Sequence, residues 1–355
     1  MAGKFKWSSF QDVDLSDSFF ESLKSDYPEF SEWFVRKGRE GAQALVFSDE
    51  SGVGAFLYLK EENEPIGLVD MMLPALPRLK IGTLRIAEKH RGVRLGEGAI
   101  GVALWQWRAL GLKEIYVTVF EKHDLLIKLF EDFGFSHIGY NSRHERIYLK
   151  DRNNIDYATP LTAFPFINPH FMNAGVIPIF EEYHDTLFPY SELKGVKEVE
   201  EYTAKNGIKK VFIATPSTAL FFKEGQPVFI YRIHTGDGQK TYKSVITSVC
   251  TITKVCVVKS NNNYILNFDD FLNLTSNKTV YNENELNNIY TSRKNVILID
   301  MIYNGFFGKG HNVTHRDLSD ANLFPCYPYN IKYTREEFNT ILRMGNAHEH
   351  DFVIN

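Results

Sequence analysis

The sequence predicts two folded parts, an α/β domain on a mixed sheet at residues 1–150 and an α+β domain at residues 151–355 built on a small β-barrel or strongly curved sheet with peripheral helices. Three observations carry this. The first 150 residues switch between helical and alternating periodicity in the order two helices, several strands, helix, strand, helix, strands. Periodicity then stops in "KDRNNIDYATPLTAFPFINPHFMNAG", a stretch rich in Asn, Pro and aromatics that reads as a linker. Beyond it, β-branched and aromatic runs alternate with turns and helical stretches are few.

In the first part, "SDSFFESLKSDYPEFSEWFVRKG" (Ser16 to Gly38) gives two short helices that break at Tyr27-Pro28. "AQALVFSD", "GAFLYLKEE", "PIGLVDMML" and "LKIGTLRIAE" are then expected as four strands of a meander. "GEGAIGVALWQWRALG" (Gly96 to Gly111) places Ile100, Ala103, Leu104 and Trp107 on one helical face and stops at a glycine. A strand "KEIYVTVF" and a helix "DLLIKLFEDFG" opened by Asp124 follow, and "FSHIGYNS" and "ERIYLKD" close the part as strands.

In the second part the expected strands are "KKVFIATPSTALFF", "QPVFIYRIHT", "KTYKSVITSVCTITKVCVV" and "RKNVILIDMIYN", and the expected helices are "ELKGVKEVEEYTAKNG" and "TREEFNTILRMG". The Asn-rich "NNNYILNFDDFLNLTSNKTVYNENELNN" is expected to be a solvent-exposed excursion.

Composition limits the function classes. The chain is 44% hydrophobic and 24% charged, which suits a foldable globular protein. Each part carries 20 Lys+Arg against 22 Asp+Glu, so neither is a polycation, and a nucleic-acid partner would have to be met by a local basic patch. The start "MAGKFKWSSFQDVD" has no apolar core and no run is long enough to cross a membrane, so a cytoplasmic protein is expected. Cys250, Cys256 and Cys326 form neither a disulfide framework nor a zinc motif. His311 and His315 in "HNVTH", and His348 and His350 in "HEHD", lack a supporting Cys or carboxylate cluster, and no metal is expected.

The stretch "RGVRLGEGAI", Arg91 to Ile100, joins a strand to a helix through glycines. Amide groups at such a turn and the dipole of the helix it opens suit an anion, a phosphate above all. Neither GxxxxGK[ST] nor GxGxxG is present, so the loop belongs to neither common nucleotide motif.

The segment "LKIGTLRIAEKHRGVRLGEGAIGVALWQWRALGLKEIYVTVFEKHDLLIKLFEDFGF" resembles the core of the GNAT acyltransferase superfamily, with "RGVRLGEG" as its loop and "LFEDFGF" as its closing motif. The resemblance implies a mixed sheet splayed between two central strands with acetyl-CoA in the splay. It implies that the backbone of Leu84, Arg85 and Ile86 pairs with the pantetheine arm, and that the amides of Arg91, Gly92, Val93, Arg94, Leu95, Gly96 and Glu97 hold the pyrophosphate. Two positions depart from the family pattern. Arg94 replaces the first glycine of the loop, which a negative φ would allow, with its guanidinium free to reach a CoA phosphate. Phe130 stands where the family often has a tyrosine that protonates the leaving thiolate, and His123, at the position of a family asparagine, is the candidate donor in its place. Asp70, Glu88 and His90 are the candidate bases; water could also take the proton.

"FFKEGQPVFIYRI" followed by "KSVITSVCTITKV" resembles the PUA-like group with its ASCH and EVE domains. That resemblance implies an α/β mixed-sheet GNAT fold followed by an α+β PUA-like β-barrel domain, with Tyr231 stacking on a base and Arg232 on a phosphate; Tyr231 in the barrel core is the alternative. Three functions follow as expectations: an acetyl-CoA-dependent N-acetyltransferase acting on RNA or aminoacyl-tRNA gripped by the second domain, as toxin-like GNAT enzymes do; an acetyltransferase for a protein or small-molecule amine; and a catalytically impaired CoA- or RNA-binding protein.

Overall fold

The computed structural model describes residues 4–191, 203–217 and 220–353. It divides into two compact units, Met1–Ile155 and Asp156–Asn355.

The N-terminal unit opens with β1 (Lys4–Ser9), which sequence periodicity missed, followed by α1 (Glu21–Asp26) and α2 (Phe30–Arg39) on either side of Pro28. The strands β2 (Gln43–Asp49), β3 (Gly52–Glu62), β4 (Ile66–Gly67), β5 (Met72–Leu73) and β6 (Arg78–Ile86) come next. α3 (Leu95–Ala109), β7 (Glu114–Val119), α4 (Asp124–Asp132), β8 (Ser136–Tyr140) and β9 (Arg146–Asp151) complete the unit. The sheet order is β1-β2-β3-β6-β7-β9-β8, antiparallel except for β6 and β7, which run parallel because α3 crosses between them. α2 buries Phe30 and Phe34 against Phe10, Phe20 and Phe56 on one face of the sheet. α3 is buried nearly all round, the four expected face residues included, as its apolar composition requires. "PIGLVDMML" is a separate two-stranded ribbon, because Leu68 N–H bonds to Met71 O at 2.8 Å and turns the chain at Asp70.

The C-terminal unit runs through α5 (Pro160–Ala163), β10 (Gly175–Phe180), α6 (Glu181–Leu187), β11 (Lys209–Ala214), β12 (Pro227–Ile233), α7 (Lys240–Lys243), β13 (Val245–Ser260) and β14 (Asn263–Tyr264). It continues with α8 (Phe268–Thr275), α9 (Glu283–Thr291), β15 (Val296–Phe306), β16 (Val313–Thr314), α10 (His315–Asp320), α11 (Arg335–Met344) and α12 (Glu349–Phe352). The main sheet order is β10-β12-β13-β15-β11, with three register shifts between β13 and β15 that bend it strongly. β10 and β11 do not pair, so the sheet is a half-barrel, which corrects the closed barrel and matches the strongly curved sheet that was its alternative. Phe229 and Tyr231 of β12 face α11 in one core, and Val211, Val258 and Leu298 form a second core with Phe271 of α8 and Leu286 of α9.

The Asn-rich segment is therefore not an exposed excursion. Asn267 and Asn282 cap α8 and α9, and the apolar residues between polar ones lie at helical spacing and close the second core. Most of the helix expected at "ELKGVKEVEEYTAKNG" lies outside the described residues; Thr203–Lys205 forms a 3-10 turn.

Candidate active site

β6 and β7 pair over only four positions, from Arg78 opposite Glu114 to Ile81 opposite Val117. The closed end is fixed by Arg78, whose buried guanidinium donates to Glu114 at 2.5 Å and to the carbonyls of Pro74 at 3.0 Å and Glu64 at 3.3 Å. Past that point β6 stays on β3 and leaves β7. Gly82 is the extra residue of a bulge, since Tyr58 faces Thr83 while Leu59 faces Ile81. Glycine is needed there because a Cβ would stand 2.9 Å from the Tyr58 ring. The splay exposes the β7-facing edge of Gly82 to Ile86 to whatever occupies the gap.

β6 leads through a short turn into α3. The first helical hydrogen bond runs from Gly98 N to Arg94 O, so the amides at positions 95–97 lie ahead of the helical ladder at the positive end of a 15-residue helix. Gly92 sits at φ 84°, in the left-handed region open to glycine. Arg94 is also left-handed, at φ 64°, ψ 20°, which corrects the expectation of a negative φ. Its guanidinium is also otherwise placed than expected: it pairs with Glu97 at 2.6 Å, with both side chains largely buried, and so is turned onto its own helix. The loop geometry fits a pyrophosphate held by backbone amides, with Arg94 shaping the turn.

On the α1–α2 face, the splay opens into a cleft of about 490 Å³. Thr83 and Leu84 of β6, Val119 at the end of β7 and Phe120 after it, Asp26 and Tyr27 at the end of α1, Trp33 of α2, and Asn141, Arg143 and Glu145 of the β8–β9 turn line it. Two contacts join its rims: Tyr27 Oη donates to Glu145 Oε1 at 2.5 Å, and Arg143 pairs with Glu29 at 2.7 Å. Burial and the Glu145 carboxylate push the Tyr27 phenol far above its usual range.

Of the residues singled out from sequence, Leu84 and His123 line this cleft. His123 stands before α4, half-exposed, with Nε2 3.8 Å from Asp26 Oδ2. Burial and then Lys122 hold its pKa below the usual value, against the pull of Asp26, so the neutral imidazole is favoured. Arg85 lies over the Phe19 ring at 5.1 Å with a buried, unpartnered Nε.

Other expectations are corrected. Asp70 sits exposed in the turn of the β4–β5 ribbon and does not line the cleft, because that segment is not a strand of the main sheet. Glu88 pairs with Arg91 on the surface at 2.9 Å. His90 Nε2 meets Asp49 at 2.6 Å; although burial opposes it, hydrogen bonds from Ser51 and His90 hold the Asp49 carboxyl down at about 2. Phe130 is fully buried with its ring edge-on to Phe135 at 5.2 Å, and it is a core residue outside the cleft lining.

Tyr231 and Arg232 are not surface contacts for RNA. Tyr231 is 6% exposed and packs on Phe324 at 4.8 Å. Arg232 donates to both oxygens of Asp185, at 2.8 and 2.9 Å, and meets Glu181 at 3.1 Å, so its guanidinium is occupied by two carboxylates. Strand alternation points residue 231 into the core, and α6 brings the acids that hold residue 232. Sequence reasoning missed Tyr27 and Glu145, which no motif marks. Among the described residues no His, Cys, Asp and Glu side chains gather as a metal site.

A splayed parallel strand pair and a bulge lead along β6 into an amide-lined helix start, an arrangement that can hold an extended chain ending in an anion. Residues 7–135 match the family model described as acetyltransferase (GNAT) family. The N-terminal unit carries a GNAT acetyltransferase domain, and the protein is an acetyltransferase enzyme. No curated protein matches the chain. Among solved structures, an N-acetyltransferase from Staphylococcus aureus Mu50 shares 15% identity, with 42% of this chain and 99% of that one covered and a TM-score of 0.32. A tyrosine-to-phenylalanine mutant of the toxin AtaT, bound to the C-terminus of the antitoxin AtaR, shares 12%, covering 43% and 94% at a TM-score of 0.31. The PaiA N-acetyltransferase from Thermoplasma acidophilum, in complex with coenzyme A, shares 14%, covering 42% and 99% at a TM-score of 0.31. Likeness at this level says nothing of substrates.

Proposed function

We propose that the protein transfers the acetyl group of acetyl-CoA to a primary amine held in the cleft of the N-terminal unit. The observation that supports this most is the parting of β6 from β7 after Ile81, on an edge that runs straight into the amide-rich start of α3. In this reading the edge from Gly82 to Ile86 holds the pantetheine arm, the amides of residues 91–97 hold the pyrophosphate, and the acceptor enters from the α1–α2 side. The reaction takes place in the cytoplasm, where Cys250, Cys256 and Cys326 remain free thiols.

A second reading makes RNA or aminoacyl-tRNA the acceptor, gripped by the C-terminal unit as a PUA-like domain would grip it. Since Tyr231 and Arg232 are used within the fold, the grip would fall elsewhere. A cleft of about 660 Å³ lined by Lys209, Lys254 and Lys278, with Glu224 and Asp300, is the place that favours it. The two readings separate when full-length protein is given labelled acetyl-CoA with charged tRNA, deacylated tRNA, cellular protein and small amines. Label on charged tRNA alone supports the second reading, and label on protein or small amines alone removes it. If no CoA binds and no pool takes label, both fail.

A further inference from the structure

The cleft contains one carboxylate that the fold holds without an ion pair among the described residues, Arg143 acting on it only from beyond contact distance. Glu145 is 4% exposed and lines the cleft, yet no cation among the described residues lies within ion-pair distance of it. The other acids of the cleft are matched: Asp26 by Lys122 and Glu29 by Arg143. Glu145 is held by neutral donors instead, Tyr27 Oη at 2.5 Å on Oε1 and Asn141 Nδ2 at 2.7 Å on Oε2. Its backbone N–H and that of Arg143 both donate to Asn141 Oδ1, at 3.0 and 2.9 Å, so the turn that carries the carboxylate is built around one side chain. A buried carboxylate with no cation in direct contact is costly, and the group that offsets that cost best is a cation brought by a ligand. Here that ligand is the acceptor.

We infer that Glu145 binds the acceptor as a primary ammonium and takes its proton, with Tyr27 positioning the carboxylate. This rests on the acetyltransferase reading above. The ammonium R–NH₃⁺ gives one proton to Glu145, and the nitrogen lone pair forms the N–C bond to the acetyl carbon. The C–S bond breaks with its electron pair on sulfur, a second nitrogen proton ends on that sulfur, and the third stays on the amide. Glu145 then returns its proton to water. The charged or titratable groups facing Glu145 are Tyr27 from the end of α1 and Arg143 from its own turn, with Asp26 and Glu29 farther along the opposite rim. The aromatic walls provided by Trp33, Tyr58 and Phe120 suit an acceptor whose amine sits on an apolar stem.

The test uses full-length protein, n-hexylamine as probe and three forms: wild type, Glu145→Gln and Tyr27→Phe. Calorimetry reads CoA binding, NMR titration of the CoA-loaded protein reads n-hexylammonium binding, and thiol release from acetyl-CoA reads turnover. Glu145→Gln is expected to leave CoA affinity unchanged, weaken the ammonium at least tenfold, lower kcat/KM by about a hundredfold or more and remove the acidic limb of its pH profile. Tyr27→Phe is expected to keep that limb and lower kcat while leaving CoA affinity unchanged, as for a residue that positions the carboxylate. Ammonium binding or an acidic limb that survives unchanged in Glu145→Gln overturns the assignment and leaves the transferase reading standing. A wild type that binds CoA but no ammonium overturns it too. Failure of the wild type to bind CoA brings down the transferase reading, and the assignment with it.

Discussion

Replacing Gly96 by Pro tests the amide-lined start of α3 at one atom. The substitution removes the N–H of residue 96 without breaking a helical hydrogen bond, since the first such bond is donated by Gly98, at 3.1 Å. Proline is tolerated in a first helical turn for the same reason. If that N–H holds a phosphate oxygen, its loss costs about 1.5–3 kcal/mol, the range for hydrogen bonds to charged groups. At about 1.4 kcal/mol per decade, CoA binding should weaken roughly 10- to 150-fold. A steric effect must be separated from this, because a Cβ at position 96 would stand 3.2 Å from Leu129 Cδ2 and 3.7 Å from Ile86 Cγ1. Gly96→Ala carries the same Cβ and keeps the N–H, so calorimetric titration of CoA into both variants isolates the amide. Wild-type affinity in Gly96→Pro, or an equal loss in both variants, would refute the argument.

Phe130→Tyr should not raise kcat, because the hydroxyl would be buried beside Phe135 outside the cleft; without a partner there it should lower stability by about 1–3 kcal/mol, read by denaturant titration, and a faster enzyme would contradict the placement. Arg78→Ala leaves the Glu114 carboxylate buried without its 2.5 Å partner and should destabilise the N-terminal unit by about 3–5 kcal/mol, checked by thermal unfolding. Glu181 offers a pH test: burial alone would raise its pKa, but hydrogen bonds from Thr235 and His234 and the charge of Arg232 lower it from 4.5 to about 2. Since the folded value lies below the unfolded one, its contribution is present above pH 4.5 and lost as pH falls from there to about 2, and Glu181→Gln should flatten the stability profile across that window. Tyr231→Ala should cost stability, about 3–5 kcal/mol as for other large buried aromatics, and any effect on RNA retention should be absent from Tyr231→Phe.

Much of the N-terminal unit was legible because its signals are local. Alternation in "GAFLYLKEE", the helical face of Ile100, Ala103, Leu104 and Trp107, and the glycines around Arg91 to Gly98 each act within one or two turns of chain, so neighbouring residues suffice to read them. Capping is local as well, yet in the C-terminal unit it is masked by composition: Asn267 and Asn282 stand in an Asn-rich run, although each accepts from an N–H three residues on and starts a helix that closes a core.

What the sequence by itself determined is the order of strands and helices of the N-terminal unit after β1, the β4–β5 ribbon apart, and the strand-to-loop-to-helix turn, since those follow from periodicity, glycine and the helix start. Only the tertiary structure decided which charges are satisfied. Arg94 could have met a phosphate until the fold put it in the left-handed region against Glu97. Arg232 is occupied because α6 sets Asp185 beside it, from 47 positions away. Tyr27 meets Glu145 across 118 residues. Ion pairs and hydrogen bonds act over a few ångströms, and which residues come that close is fixed by packing, so a buried carboxylate without a cation can be recognised only after the chain has folded around it.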